Sequence, residues 1–590
     1  MAVAQRRTAV TASTPSPLGG WNARDSLAEM NPMDAVQLIN MFPTPSDVTL
    51  RKGYKKASTG ITGKVYSLMN YSDQTDANTY KLFAFAGDKI YNAKPNPAVE
   101  VFSGLSNSKF QHVNITTAGG HFLVACNGID PTLVYDGTAW AKLATTSTAQ
   151  TVTGISRTSP SNVATVTTST AHGLITGNRV TITSSSEVTF LGAHVITVTS
   201  PTTFTFVSTG TTTVTSGTGA YTVLGITGVD SSTFVNVNLF KNRLYFTQKD
   251  TLKCWYLPVN SIAGAASPLD FGGIARNSGY LQAMGTWTLD AGQGADDYAV
   301  FVTSMGEVIV YNGTDPSTAE TWALKGVWQL GQTFNRRCFF KWAGDLLLLT
   351  QDGLVPLASA LQSSRLDPRV NLTDKIFFAV SQAATSYYNN FGWQINYFAS
   401  ENMLILSIPT NQGMEQYVMH TITKSWARFT NIEAYCWEVS GDNDMHFGGD
   451  GFVGTFYTAF SDDGKNITAT AQQAYSYFDA RGQLKRFTMV RPILLTDNGV
   501  PSIAVGVNTD FDTQNITGQV TFNPGTVQTG LWDVSNWDNA LWGGNLVVNK
   551  VWQGVTGLGY SAGIYMTMAS QGIDVHWAST DFVMERGGVI

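Results

Sequence analysis

The stretch Gly559-Tyr560-Ser561-Ala562-Gly563 has the GxSxG spacing of a nucleophile elbow, and Asp574 and His576 follow it. In a hydrolase that spacing raises a serine hydroxyl on a sharp strand-to-helix turn above a parallel sheet. A histidine on a distant loop then serves as its base. Here the surrounding residues alternate like strands, and Asp574 and His576 stand two apart, on one face of a strand. The stretch therefore reads as a glycine-rich strand corner. Gly449-Asp450-Gly451-Phe452-Val453-Gly454 matches GxGxxG, but phosphate binding by that motif needs a helix N-terminus immediately after it. The residues that follow, TFYTAFSDDG, read as a strand and a turn. Ser461-Asp462-Asp463-Gly464 partly matches the Asp-box turn of sialidase propellers, but its glycine is misplaced and the closing tryptophan is missing, so it reads as a plain turn.

No metal or thiol chemistry is legible. The seven histidines (112, 121, 172, 194, 420, 446 and 576) never stand at i,i+4 around a glutamate. Cys126, Cys254, Cys338 and Cys436 are too far apart for a CxxC pair or a disulfide framework, and read as buried free thiols of a chain folded in a reducing cytosol. Asn-x-Thr triplets such as those at Asn114, Asn312 and Asn515 arise by chance in a chain so rich in threonine. Neither a catalytic set, a cofactor site nor a metal site can be read from the sequence.

The elements around these residues are more informative. With 590 residues the chain exceeds one core and suggests about three or four domains. Apolar residues make up 43% and aromatics 12%, while charged residues are only 13%, about half the usual ~25%. Such a surface must be mostly Ser, Thr, Asn and Gln, which suits extended structure with large subunit contacts. A net charge of −6 without a dense Lys/Arg run excludes a protein that grips DNA through its phosphates. The opening MAVAQRRTAVTAS has no apolar stretch after its arginines, and no run of about 18 apolar residues occurs. The expectation is a soluble protein without a secretory signal or a membrane span.

One shape recurs along the chain. Residues 300–315 read VFVTSMGEVIVYNGTD, two apolar runs around a tight corner with an aromatic closing the second. The same shape appears at 83–91 (FAFAGDKIY), 122–137 (FLVACNGIDPTLVYDG), 240–246 (FKNRLYF), 346–357 (LLLLTQDGLVPL), 403–419 and 446–456 (HFGGDGFVGTF). Asn-Gly and Asp-Gly corners favour two-residue hairpins because both positions tolerate positive φ. A period of roughly 40–60 residues is that of a propeller blade. The expected fold is all-β: a six- or seven-bladed β-propeller over about 56–460, with an inserted small β-barrel and a β-rich platform domain. Residues 56–145 would form the first blades and 223–460 the remaining ones. The insertion, 146–222, stands out by its Thr, Ser and Val content and by strict alternation in VTIT and TFTFV. Residues 461–590 would form the platform, joined by the N-terminal segment 1–55. Helix is scarce; Asn31–Met41, with Asn31 as cap and Pro32 in the first turn, is the one short helix expected.

Residues 19–54 read GGWNARDSLAEMNPMDAVQLINMFPTPSDVTLRKGY. The series Gly-Gly-Trp-Asn-x-Arg-Asp, Met-x-Pro-x-Asp-Ala, Asn-x-Phe-Pro and Leu-Arg-x-Gly-Tyr resembles the opening of tail nozzle proteins of short-tailed bacteriophages. These are the tail tubular protein B-like, or packaged-DNA stabilisation, type. The ending DVHWASTDFVMERGGVI is similar to that family as well. The resemblance implies a structural virion protein, made in the host cytoplasm and built into the tail as a homohexameric nozzle. It would dock on a ring of tail adaptor subunits, carry fibres or spikes, and surround the exiting double-stranded DNA without binding it tightly. Trp21, Phe42 and Tyr54, with Trp532, Trp537 and Trp542 of the segment WDVSNWDNALWGG, are the expected adaptor or subunit contacts. The alternative is a propeller enzyme or lectin acting on host-surface glycan.

Overall fold

The computed structural model describes residues 9–72, 80–290, 295–361, 370–497, 499, 501–513, 519–520 and 546–589, and these are almost entirely β. The seven repeated hairpin motifs form seven antiparallel strand pairs, each in its own sheet except that 83–91 and 446–456 join one sheet through a long shared strand. In the 300–315 stretch, Ala295–Thr303 pairs with Glu307–Gly313, and Val300 stands opposite Val310. Its corner depends on Gly306, at φ +84°, where a Cβ would come within 2.3 Å of the Gly331 carbonyl. Phe234–Phe240 and Arg243–Gln248 are joined by Lys241-Asn242, both at positive φ, as a two-residue turn that follows strand twist requires.

The sheets close on one another. Their first strands are β1 (Gly53–Tyr71), β2 (Gln111–Thr117), β3 (Phe234–Phe240), β4 (Leu281–Asp290), β5 (Phe339–Trp342), β6 (Gln394–Phe398) and β7 (Cys436–Val439). Each packs against the next in chain order, and β7 packs back against β1. The long strand β1 makes the closure. Its first half pairs with Asp450–Ala459 of the last sheet, and its second half pairs with Lys81–Ala86 of the first. Apolar layers fill the wedges between neighbouring sheets: Phe83, Leu123 and Trp140 between the first two, Phe246 and Val124 between the next two, and Tyr245, Phe301 and Trp322 beyond. Radial sheets diverge outward, so large rings suit the wide part of each wedge, as in the stacked pair Tyr311–Trp322. Radial antiparallel sheets in a closed cycle make the fold β-propeller-like.

Between the second and third ring sheets the chain forms two further sheets, from Val152–Arg157 to Gly219–Val223, around their own core of Ile155, Val166, Phe190, Phe204, Phe206 and Tyr221. Outside the ring, N- and C-terminal strands interleave. Ala9–Pro15 pairs along Val575–Val589, and Val48–Leu50 joins the same sheet. Asp34–Ile39 bridges Trp426–Phe429, the outer strand of the sixth ring sheet, to Ile467–Gln473, so one sheet runs from ring into platform.

The expected helix at 31–41 is not formed. Asn31 and Pro32 lie in a turn, and Asp34–Ile39 is a strand hydrogen-bonded on both edges. Its Val and Ile suit a strand, and pairing across the fold outweighs a cap signal that is purely local. The longest helix among the described residues, Phe377–Tyr387, buries Val380, Ala383 and Ala384 in the core shared by the fourth to sixth ring sheets. No helix among the described residues is long and apolar enough to cross a membrane.

Candidate functional site

The residues of the N-terminal motif form the joint between ring and platform. Gly19 and Gly20 let the chain pass where no side chain fits: a Cβ would meet the Asp34 carboxylate at 2.0 Å in one case and the Trp426 carbonyl at 2.6 Å in the other. Asn22, 2% exposed, donates to Asp34 at 2.8 Å and to Asp25 at 2.9 Å, and accepts the backbone N–H groups of Arg24 and Asp25. Lys375 donates to Asp34 and to the Gly19 carbonyl, both at 2.7 Å, and Arg24 pairs with Asp374. Asp34, 4% exposed, thus has a cation and an amide to balance its burial.

Arg51 is the centre of the joint. Its guanidinium is 0% exposed and holds Asp462 through two bonds of 2.8 and 2.7 Å, with further bonds to Asn40 (2.9 Å) and the Thr430 carbonyl (3.0 Å). Asn40, also fully buried and at φ +56°, donates to Thr430 and to the Thr468 carbonyl. One arginine therefore ties the N-terminal segment, the sixth ring sheet and the start of the C-terminal region together with fork geometry that lysine cannot supply.

Trp21, Phe42 and Tyr54 sit around this joint. Trp21 packs edge-on against Tyr417 and lines an open groove of about 500 Å³ with Tyr387, Glu415 and Arg428. Phe42 is 3% exposed and packs on Phe429 and His420, so its ring is taken up by this chain's own core. Tyr54 is partly buried, edge-on to Phe447 and stacked with Phe452. Trp532, Trp537 and Trp542 lie outside the described residues.

Beside Phe42 a second cavity, about 300 Å³, holds His576. Its Nδ1 stands 2.8 Å from Asp47 and its Nε2 3.3 Å from Asp574. The bond to Asp47, then that to Asp574, raises the imidazole to about 9 from an ordinary 6.5. A basic group raised on folding stabilises fully below its unfolded value, and its contribution fades as pH rises through the folded one. Wild type should therefore lose on the order of 2–3 kcal/mol from this site between pH 6.5 and 9.5. In His576→Gln that loss should be missing from melting curves taken across the same range. Parallel wild-type and variant curves would refute the charged clasp.

The ring axis holds a third cavity, about 280 Å³, lined from all seven first strands or the residues next to them, among them Leu68, Gln111, Asn238, Met284, Arg337, Gln394 and Glu438. Arg337 reaches across it to the Tyr66 and Phe110 carbonyls (3.0 and 3.2 Å), the Ser67 hydroxyl (3.1 Å) and Gln394 (3.1 Å). His112 Nε2 faces the Glu438 carboxyl at 3.9 Å. Burial pushes Glu438 up to about 8 against the pull of Arg337, and pushes His112 down to about 4. A space so small, crossed by an arginine, cannot pass a nucleic-acid duplex.

The sequence motifs with catalytic spacing do other work. Ser561 is fully buried; its N–H and that of Tyr560 donate to Asp510, and its hydroxyl also faces Asp510, at 3.5 Å. Its neighbour is thus a carboxylate, while His576 is committed to Asp47 and Asp574. Residues 450–459 are a strand. Asp462 serves Arg51, and Asp463, at φ +49°, pairs with Lys56 at 3.0 Å. All four cysteines are buried and free, and burial raises their thiols. The glycine and asparagine positions of the N-terminal motif were legible in the sequence, but the buried ion pair they support was not, because its partners lie hundreds of residues away.

No protein-family model matches the chain, and no curated protein sequence does. Among solved structures it is similar to Sqt1 of Saccharomyces cerevisiae, at 10% identity and a TM-score of 0.32, over 68% of this chain and 98% of that one. It is also similar to YCF48 bound to D1 peptide, at 9% identity and a TM-score of 0.26, over 69% and 97% of the two chains.

Proposed function

We propose that this chain is a structural subunit of a short bacteriophage tail, a nozzle protein that assembles as a homohexamer beneath the tail adaptor ring. The observation that carries the reading is that the motif residues of 19–54 are spent on a rigid joint. Asn22, Asp34, Asn40 and Arg51 are all buried, with Asn22 bonded to Asp34 and Arg51 to Asn40. Such a joint suits a part that bears load between partners, and the low charge content suits wide contact surfaces. The ring is a seven-bladed propeller on this reading, the Thr-rich insertion a small barrel between its second and third blades, and the interleaved termini the platform that faces the adaptor. Trp21 in its open groove is the platform residue placed for a partner to cover. The DNA conduit lies between copies, since the axial space within one ring is too narrow for a duplex.

Cryo-electron microscopy of the assembled particle tests the whole assignment, with a six-fold ring below the adaptor expected. Capsids bearing the adaptor should fail to acquire protein truncated by residues 1–50; normal attachment would exclude docking through this segment. The purified chain should show little affinity for duplex DNA at physiological salt, and tight, salt-sensitive filter binding would contradict a conduit that lets DNA slide. Release of sugars from host-surface glycan by the purified chain would favour an enzyme instead. Replacing residues 146–221 by a short Gly/Ser linker should leave ring and platform folded with an unchanged far-UV spectrum, whereas aggregation would make that segment part of the ring.

A further inference from the structure

The corner that follows β7 carries Asp442 and Asp444, and His446 stands on the next strand, Met445–Gly448. One ligand atom from each, a carboxylate oxygen or a ring nitrogen, lies within 4.8 Å of the other two. Acidic corners are common, and the two aspartates alone would mean nothing. The histidine changes that. His446 is 6% exposed, its Nδ1 is bonded to the Thr455 hydroxyl at 3.2 Å, and its buried Nε2 makes no hydrogen bond of normal geometry. A buried ring nitrogen left unsatisfied is costly, and few are found without a reason. In the tautomer with its proton on Nδ1, donated to the threonine, the ring has the arrangement of a metal-bound histidine, in which an outer partner orients the ring and leaves the lone pair of Nε2 free.

We propose that Asp442, Asp444 and His446 form a binding site for a divalent transition-metal ion, with Zn2+ as the best fit. Two carboxylates and one imidazole provide three protein ligands, and water completes the shell. The imidazole favours Zn2+ over Ca2+ and Mg2+, which prefer all-oxygen shells. The site sits at a structurally sensitive place. Tyr80, the residue before strand Lys81–Ala86 of the first ring sheet, donates to the second oxygen of Asp442 at 2.6 Å. Ser440 donates to the first. The ion would thus hold in place the carboxylate through which Tyr80 of the first sheet contacts the last, beside the closure made by β1.

The test is equilibrium dialysis of the full chain against Zn2+ after stripping with EDTA, followed by metal analysis and thermal melts with and without the ion. One bound Zn2+ per chain and a rise in melting temperature on adding it are expected. Asp444 is exposed, so Asp444→Asn should fold like the wild type in EDTA and lose both the bound ion and the thermal shift. His446→Gln should lose them too, and a fivefold excess of Ca2+ should not displace Zn2+. A metal content no higher than in EDTA, Zn2+ retained at full stoichiometry in Asp444→Asn, or displacement by Ca2+ would each overturn the proposal.

Discussion

Arg51→Ala is expected to cost roughly 3–5 kcal/mol, a large share of the stability of any one domain. The substitution removes more than one ion pair. It leaves the Asp462 carboxylate, 5% exposed, as an uncompensated charge, and it strips the Thr430 carbonyl of its donor. The cavity left by a fully buried side chain adds to this. Because Arg51 ties segments more than 400 positions apart, the damage should show in the joint first. Limited proteolysis should release the N-terminal segment from the variant, and the melting transition should fall or split. Arg51→Met combined with Asp462→Leu is the informative control: with both charges gone, much of the stability should return. A loss below about 1 kcal/mol in the single variant would mean that the pair behaves like an exposed one.

Arg337→Ala should weaken the ring by about 2–4 kcal/mol, through three acceptors and one amide left without their donor at the axial cavity. It should also change the pH response. Glu438 is an acid raised on folding, to about 8 from 4.5, so the stability it contributes is complete below 4.5 and is lost as pH rises through 8. His112 has the opposite sign: lowered to about 4 from 6.5, it withdraws stability as pH falls through that interval. Between pH 6.5 and 8 only the Glu438 effect remains of these two, and melts of Glu438→Gln should lack it. In Arg337→Ala the carboxyl loses a neighbouring positive charge, so its titration should move to still higher pH. A melting profile in which wild type, Glu438→Gln and Arg337→Ala run parallel over pH 6–9 would contradict this account of the axis.

The repeated hairpins show how far local chemistry reaches. Lys241-Asn242 and Gly306 turn where they do because of backbone freedom available within two residues, so the corners were legible along with the strands on either side. The 31–41 segment shows where local reading stops. Its cap residues argue for a helix, and only the strands at 20–21 and 467–473, brought to its edges by the whole fold, make it a strand. Phe377–Tyr387 went unread for the complementary reason: its small buried face has meaning only against the ring sheets it covers.

Residue order alone specifies a chain almost wholly β, built from one hairpin repeated in sheet after sheet, interrupted by a Thr-rich segment with its own alternation, and poor in charge. These follow from side-chain period, turn residues and composition, all of which act within a few positions. Which distant groups meet is set by the folded arrangement of the sheets. The pairing of Arg51 with Asp462 and the axial cavity lined from every ring sheet both depend on closure of the ring by β1. Closure brings together residues hundreds of positions apart, and the energy that makes those meetings specific comes from desolvation, which no local pattern records.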